Sequence, residues 1–206
     1  MIIHKLYHKC RNKLRLNGVA MNRILEALNR PSEAFSYGKK HIAWLLVGIT
    51  IFINSVFEPL LNKHANSKST LDYSSMLLIT LYGIITYFLI CFIMWIICRC
   101  LGSRTSFPIY YQTWGFTYFP TIVCAILVAV TEAYFHIFWN SILWGLIFNI
   151  LFMSILIWKL ILYILYLREV AQLKKGKLLA AVIFIGIFIL LIAYLDGFLG
   201  IKTPIL

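Results

Sequence analysis

The chain has 206 residues, 62% of them hydrophobic and 13% charged, with a mean hydropathy of +0.87. That balance excludes an ordinary soluble domain, and the formal charge of +12 suggests nucleic acid only until its distribution is read. The apolar residues fall into five runs, each near the roughly 20 residues that a helix needs to cross a bilayer, so the expected fold is an all-α membrane protein.

Residues 1–41 form a basic arm and residues 42–206 the membrane domain. In the arm, Val19, Met21, Ile24, Leu25 and Leu28 recur at helical spacing, with Asn22, Arg23, Glu26 and Arg30 between them. This predicts a short amphipathic helix that ends before Pro31. Ser32 and Glu33 then start a juxtamembrane helix, one as cap and the other in the first turn. The arm reads as an interfacial element steering the chain into the bilayer, with docking of a cytoplasmic partner as the alternative. Its residues hold no apolar core ahead of a small-residue cleavage site, so the first span is expected to serve as an uncleaved anchor.

The predicted spans are 42–61, 76–97, 109–130, 142–167 and 178–195. The second leads into Cys98 and Cys100, which are acceptors for palmitate where a host supplies the enzyme and otherwise small apolar residues of a helix end. The third span carries two prolines. Pro108 follows Ser106 closely enough to fall in a first helical turn, where its missing donor costs little. Pro120 comes twelve residues later, about 18 Å along the axis and inside the hydrocarbon. It is expected to kink the span and free the carbonyl of Phe116, which then needs a threonine hydroxyl or a neighbouring helix. Gly115 and Thr117 in the preceding turn would let another helix come close. The fourth span holds Asn149, read as an interhelical hydrogen-bonding residue, and Lys159, a cation at membrane depth. Lys159 lies eight residues before Leu167, about 12 Å from that end. Its stem covers much of the distance by snorkelling, or the ammonium pairs with a backbone carbonyl; a substrate or ion role is the rival reading.

Fifteen cations flank one set of span ends: nine before Ile42, then Arg99, Arg104, Arg168, Lys174, Lys175 and Lys177. The other set has Lys63, Lys68 and Lys202. Positive residues collect on the cytoplasmic side of membrane helices, so the amino terminus is expected inside and the carboxyl terminus outside. The same asymmetry accounts for the net charge without nucleic acid. It also predicts attraction to anionic headgroups, at about 1 kcal/mol per basic residue near the surface.

The run GSRTSFPIYYQTWGFTYFP, Gly102 to Pro120, resembles a stretch of the Yip-domain family, five-span proteins named for interaction with Ypt/Rab GTPases. In that family a glycine-containing cytoplasmic loop leads into a span whose aromatic or glycine stretch ends in proline. Two further segments agree. LNRPSEAFSYGKKHIAW, Leu28 to Trp44, resembles the juxtamembrane helix of the bacterial branch, which Pro31 would start. ILIWKLILYILYLREVAQLKKGKLLAAVI, Ile155 to Ile183, is similar to its fourth span, short basic loop and fifth span. The matching positions there are Trp158, Leu167 to Glu169, Gly176, Lys177 and Ala180. The acidic, tyrosine-containing segment that the eukaryotic branch carries before its first span is less evident, which favours a bacterial member over Rab binding. The resemblance covers nearly the whole chain from about Leu28. It implies five spans and interaction with other membrane proteins, in trafficking for eukaryotic members and beside export permeases for some bacterial ones.

No serine–lysine or serine–histidine pairing, HExxH or paired-glutamate motif stands out, so catalysis is not expected. Neither a metal nor a cofactor is expected, since His4, His8 and Cys10 on the arm lack a fourth ligand. Five spans with one intramembrane cation and no inverted repeat offer no evident solute pathway. The reading is therefore a non-enzymatic interaction or adapter protein, an accessory subunit of an export permease or a membrane-organisation factor, in a bacterial plasma membrane, or in Golgi or ER membranes of a eukaryote. Its expected partners are lipid and other membrane proteins, an ABC-type export permease among them, with self-association open. Transport of a small solute or ion is the alternative. Pro120, Gly115, Lys159, Trp158 and Pro31 are the candidate functional or packing residues.

Overall fold

The computed structural model describes residue 35 and residues 40–65, 72–138 and 141–198. Among these residues there is helix and no strand. Five helices are long and apolar enough to cross a membrane: Lys40–Ala65, Tyr73–Cys100, Phe107–Ala133, Ile142–Glu169 and Lys175–Leu195. Each contains the run predicted for it, and most extend past it by a few residues. End residues such as Lys40 and Lys63 keep helical backbone in the interfacial turns, where hydropathy has already fallen. The helices expected in the arm, Pro31 included, lie outside the described residues, apart from Phe35, which is helical and buried.

The third span is the axis of the bundle. Its most apolar window is 56% buried, against 17–39% for the others, because the first, second and fourth spans all pack on it. The fifth packs on the second and fourth. The outer spans are apolar around their whole circumference and turn Leu77, Leu81, Ile142, Leu143, Leu179 and Leu190 outward, as helices solvated by lipid do. Asn149 is on that outward side and makes no hydrogen bond among the described residues. The interhelical role expected of it is therefore not realised there. Of the two candidate acyl acceptors, Cys98 is buried and Cys100 exposed.

Helix ends are set by local chemistry. The second span closes in a Schellman motif: the Gly102 amide reaches the Arg99 carbonyl at 3.0 Å and the Ser103 amide reaches that of Cys98 at 2.9 Å. That geometry needs left-handed backbone at Gly102, whose φ is +97°, a conformation open to glycine at little cost. At the opposite end Asp72 caps the helix, accepting from the Ser74 amide at 3.1 Å and from the hydroxyls of Ser74 and Ser75 at 2.7 and 2.6 Å.

Those bonds, the Ser75 hydroxyl first, hold the Asp72 carboxyl at about 2, below its ordinary 3.8. A depressed folded-state pKa means that the cap acts in full above about 3.8 and is lost as pH falls through about 2. The protection factors of amides in the first turn of the second span, taken against intrinsic exchange at each pH, should therefore hold down to about pH 4 and fall between there and about pH 2. Asp72→Asn should abolish that step; an unchanged profile in the variant would remove Asp72 as its cause.

The first span holds one irregularity that the sequence reading did not anticipate, a π-helical turn at Ile53–Phe57. Three consecutive residues of the turn, Ile53, Asn54 and Ser55, are buried. Asn54 Nδ2 donates to the Thr50 carbonyl at 2.9 Å and Thr50 Oγ1 to that of Leu46 at 2.9 Å.

Candidate functional site

The interior of the third span is organised by two residues with special backbone consequences. Phe107–Thr113 is α-helical with Pro108 in its first turn, as expected. Trp114–Tyr118 then winds more tightly, as 3-10 helix, with all five residues buried, before α-helix resumes at Phe119–Ala133 with Pro120 in its first turn. In a continuous α-helix the Pro120 ring would collide with the carbonyl of residue 116. The change of winding moves that carbonyl out of the way. Thr117 Oγ1 donates to the Trp114 carbonyl at 2.8 Å. The hydroxyl anticipated for Phe116 is thus used two residues earlier, since 3-10 winding brings the carbonyl three residues back into reach.

Gly115 meets the first span. A Cβ there would lie 2.6 Å from the carbonyl carbon of Ala43, and Ala43 is itself fully buried. Backbone approaches backbone at this point, the close packing that small residues permit in hydrocarbon.

Aromatic side chains fill the faces around it. From the fourth span, Tyr163 lies tilted over Trp114 with centroids 4.7 Å apart, and Tyr166 meets the same indole edge-on at 4.9 Å. The Tyr166 hydroxyl donates to the Tyr110 carbonyl at 3.0 Å and accepts from Thr113 Oγ1 at 3.3 Å. From the second span, the Tyr87 hydroxyl donates to the Tyr111 carbonyl at 2.6 Å and its ring meets Tyr118 edge-on at 5.6 Å. Phe35 seats edge-on against Tyr166 at 5.4 Å and Phe116 at 6.4 Å, tying the end of the arm to the third and fourth spans. The hydroxyls of Tyr166 and Tyr87 find protein acceptors in place of water, and they pin neighbouring spans to the turn ahead of the break.

Four of the five candidate residues converge on this region. Gly115 and Pro120 are buried within it. Trp158 packs edge-on against Phe119 at 5.5 Å. Lys159 is half-buried, its Nζ 5.8 Å from the centre of the Tyr163 ring. Tyr163 stands one turn away on the same helix, and its ring face is a cation–π partner for the ammonium. Pro31 lies outside the described residues. The sequence reading missed Ala43, Tyr87, Tyr166 and Phe35. Tyr110 and Tyr166 stand within a turn of the ends of their spans, where an interfacial belt also places tyrosines, so their position gave no signal of this role.

Chemically, the region is suited to holding helices together. Among the described residues, no three His, Cys, Asp or Glu side chains are grouped to hold a metal. Tyr118 Oη, Thr121 Oγ1 and Asn54 Oδ1 are buried without a hydrogen-bond partner among the described residues, and the π turn that carries Asn54 packs on the helix that carries Thr121. An open groove of about 470 Å³ runs between the first and second spans, lined by Trp44, Gly48, Ser55, Thr80, Ile84 and Phe88.

A family profile described as the Yip1 domain matches residues 25–195. No curated protein and no solved structure matches the chain.

Proposed function

The chain belongs to the Yip1-domain family, and from that premise we propose that it is a non-enzymatic adapter of the membrane, an accessory to an export permease in a bacterial plasma membrane. It is a multi-pass membrane protein with five spans. The observation that carries the adapter reading is the filled axis: where a conduit would need space, Trp114, Tyr118, Tyr166 and Pro120 are fully buried. The described groove lies instead at the side of the bundle, between the first two spans, with mostly apolar walls, a shape suited to lipid or a partner helix. The large apolar residues turned outward on the fourth and fifth spans supply further surface for the same purpose. The charge asymmetry favours the arm and the loops 101–106 and 170–174 on the cytoplasmic side.

The rival, transport of a small solute or ion, would require a working charge at membrane depth, and Lys159 is the residue to test. In the adapter reading the ammonium only snorkels. Lys159→Arg keeps charge and reach, and Lys159→Leu relieves the cost of an ion in hydrocarbon. Both variants should insert at normal levels and copurify from mild detergent with the same membrane partners as the parent. A measurable solute flux in the parent that disappears in a normally expressed Lys159→Leu variant would replace the adapter with a transporter.

A further inference from the structure

We infer that the loops at the basic end of the bundle form one built site for a phosphate-bearing anion, and that its occupant is the headgroup of an acidic membrane lipid. The two loops come from distant parts of the chain and are locked together. Thr105 Oγ1 donates to the Val170 carbonyl at 2.7 Å. Ser103 is buried and lies 3.2 Å from the Tyr110 hydroxyl, Oγ to Oη, which anchors its loop to the third span. Both loops use left-handed backbone, at Gly102 (φ +97°) in one and at Gln172 and Lys175 (φ 55° and 49°) in and after the other.

This framework gathers charge. The Lys177 side chain folds back over the opposite loop, so that a Cβ on Gly102 would lie 3.0 Å from its Nζ. Arg99 leans on the same loop, with Nη1 3.5 Å from the Ser103 carbonyl. Arg99, Arg104, Lys174, Lys175 and Lys177 are all exposed, and none forms an ion pair among the described residues. The carboxylate beside these loops, Glu169 at the end of the fourth span, pairs with its neighbour Arg168 at 3.5 Å. Guanidinium forks and ammonium groups carried on two interlocked loops, with no counter-charge on either loop among the described residues, match the oxygens of a phosphate.

The surface below the patch selects the source of that phosphate. Leu179, Ile183 and Ile187 descend from Lys175 at helical spacing, each more than half exposed. A cationic cluster above an apolar strip, at the end of a membrane-spanning helix, matches an acidic lipid along its length; a free phosphate would leave the strip unused. The assignment rests on the membrane placement of the bundle and is independent of which protein partner it serves.

The test is retention of phosphatidylglycerol by the full chain after extraction from phosphatidylcholine vesicles doped with that lipid, read by native mass spectrometry. Removing one cation should weaken retention roughly fivefold, so Lys177→Gln with Arg104→Gln should lower it roughly twenty-five-fold, while Lys63→Gln at the other end leaves it unchanged. Gly102→Ala preserves every charge but displaces the Lys177 ammonium and should also reduce retention; full retention in that variant, with the same melting midpoint, would mean diffuse charge and overturn the site. Equal loss in Lys63→Gln would overturn it as well. Phosphatidylglycerol should raise the melting midpoint where glycerol phosphate at equal concentration does not. Equal stabilisation by the soluble anion would overturn the lipid assignment in favour of a free phosphate.

Discussion

Gly115→Ala should destabilise the bundle by about 2 kcal/mol, whereas Gly48→Ala in the first span should leave it unchanged. A single methyl group separates parent from variant in both cases, so the comparison isolates packing. At 115 the added Cβ would overlap the Ala43 carbonyl, 2.6 Å from its carbon, and the obstacle is backbone with no rotamer to move aside. At 48 nothing lies within 4 Å of the same atom. The first and third spans must then separate along the stretch where they touch most closely. Water supplies no hydrophobic force to hold helices together inside a bilayer, so lost van der Waals contact has little to offset it. The measurement is the melting midpoint in mild detergent, with Gly115→Val as a graded step that should prevent recovery of folded protein. A Gly115→Ala midpoint equal to the parent's would show that the two spans are not in contact at this point.

The sequence exposed those features whose physical consequences are local. Long apolar runs reveal spans because the hydrocarbon imposes a length, and all five lie within the helices found. Pro120 and Gly115 were legible because proline and glycine alter the backbone wherever they stand. Their partners were not. The second, fourth and fifth spans are apolar all round, so periodicity carries almost no record of which side faces inward. Nothing local distinguishes Ala43, opposite Gly115, from the other small residues of its span. Tyr166 and Tyr87 are likewise indistinguishable by pattern from a tyrosine facing lipid, such as the exposed Tyr194. The π turn at Ile53–Phe57 leaves only a faint trace in the sequence, the adjacent polar pair Asn54–Ser55 in an apolar run. Lys159 stood out because a charge in hydrocarbon always does, but its lean toward Tyr163 depends on the packing of the third span beneath both residues.

Tyr166→Ala should be the most damaging single truncation at the junction of the third and fourth spans. The side chain is completely buried and takes part in edge-on contacts with Phe35, Tyr110 and Trp114. Large-to-small changes at aromatic positions cost about 3–5 kcal/mol in soluble cores, where transfer from water and the cavity both contribute. Dissociated membrane helices remain in lipid or detergent, so much of the transfer part is absent, and the expected loss is about 2–3 kcal/mol. Tyr166→Phe keeps the ring and deletes only the hydroxyl. Thr113 Oγ1 retains its bond to the Ile109 carbonyl at 2.6 Å, so the Tyr110 carbonyl alone loses a donor, at about 1 kcal/mol. The order Ala well below Phe, and Phe slightly below the parent, should appear in melting midpoints measured in one detergent. Combining each variant with Phe35→Ala adds a second reading. If Phe35 docks through the Tyr166 ring, the pair should couple by about 0.5–1.5 kcal/mol in the alanine variant and far less in the phenylalanine variant. Strict additivity with Tyr166→Ala would detach the arm from this socket. Equal losses for Ala and Phe would mean that the hydroxyl, and not the ring, holds the fourth span against the third.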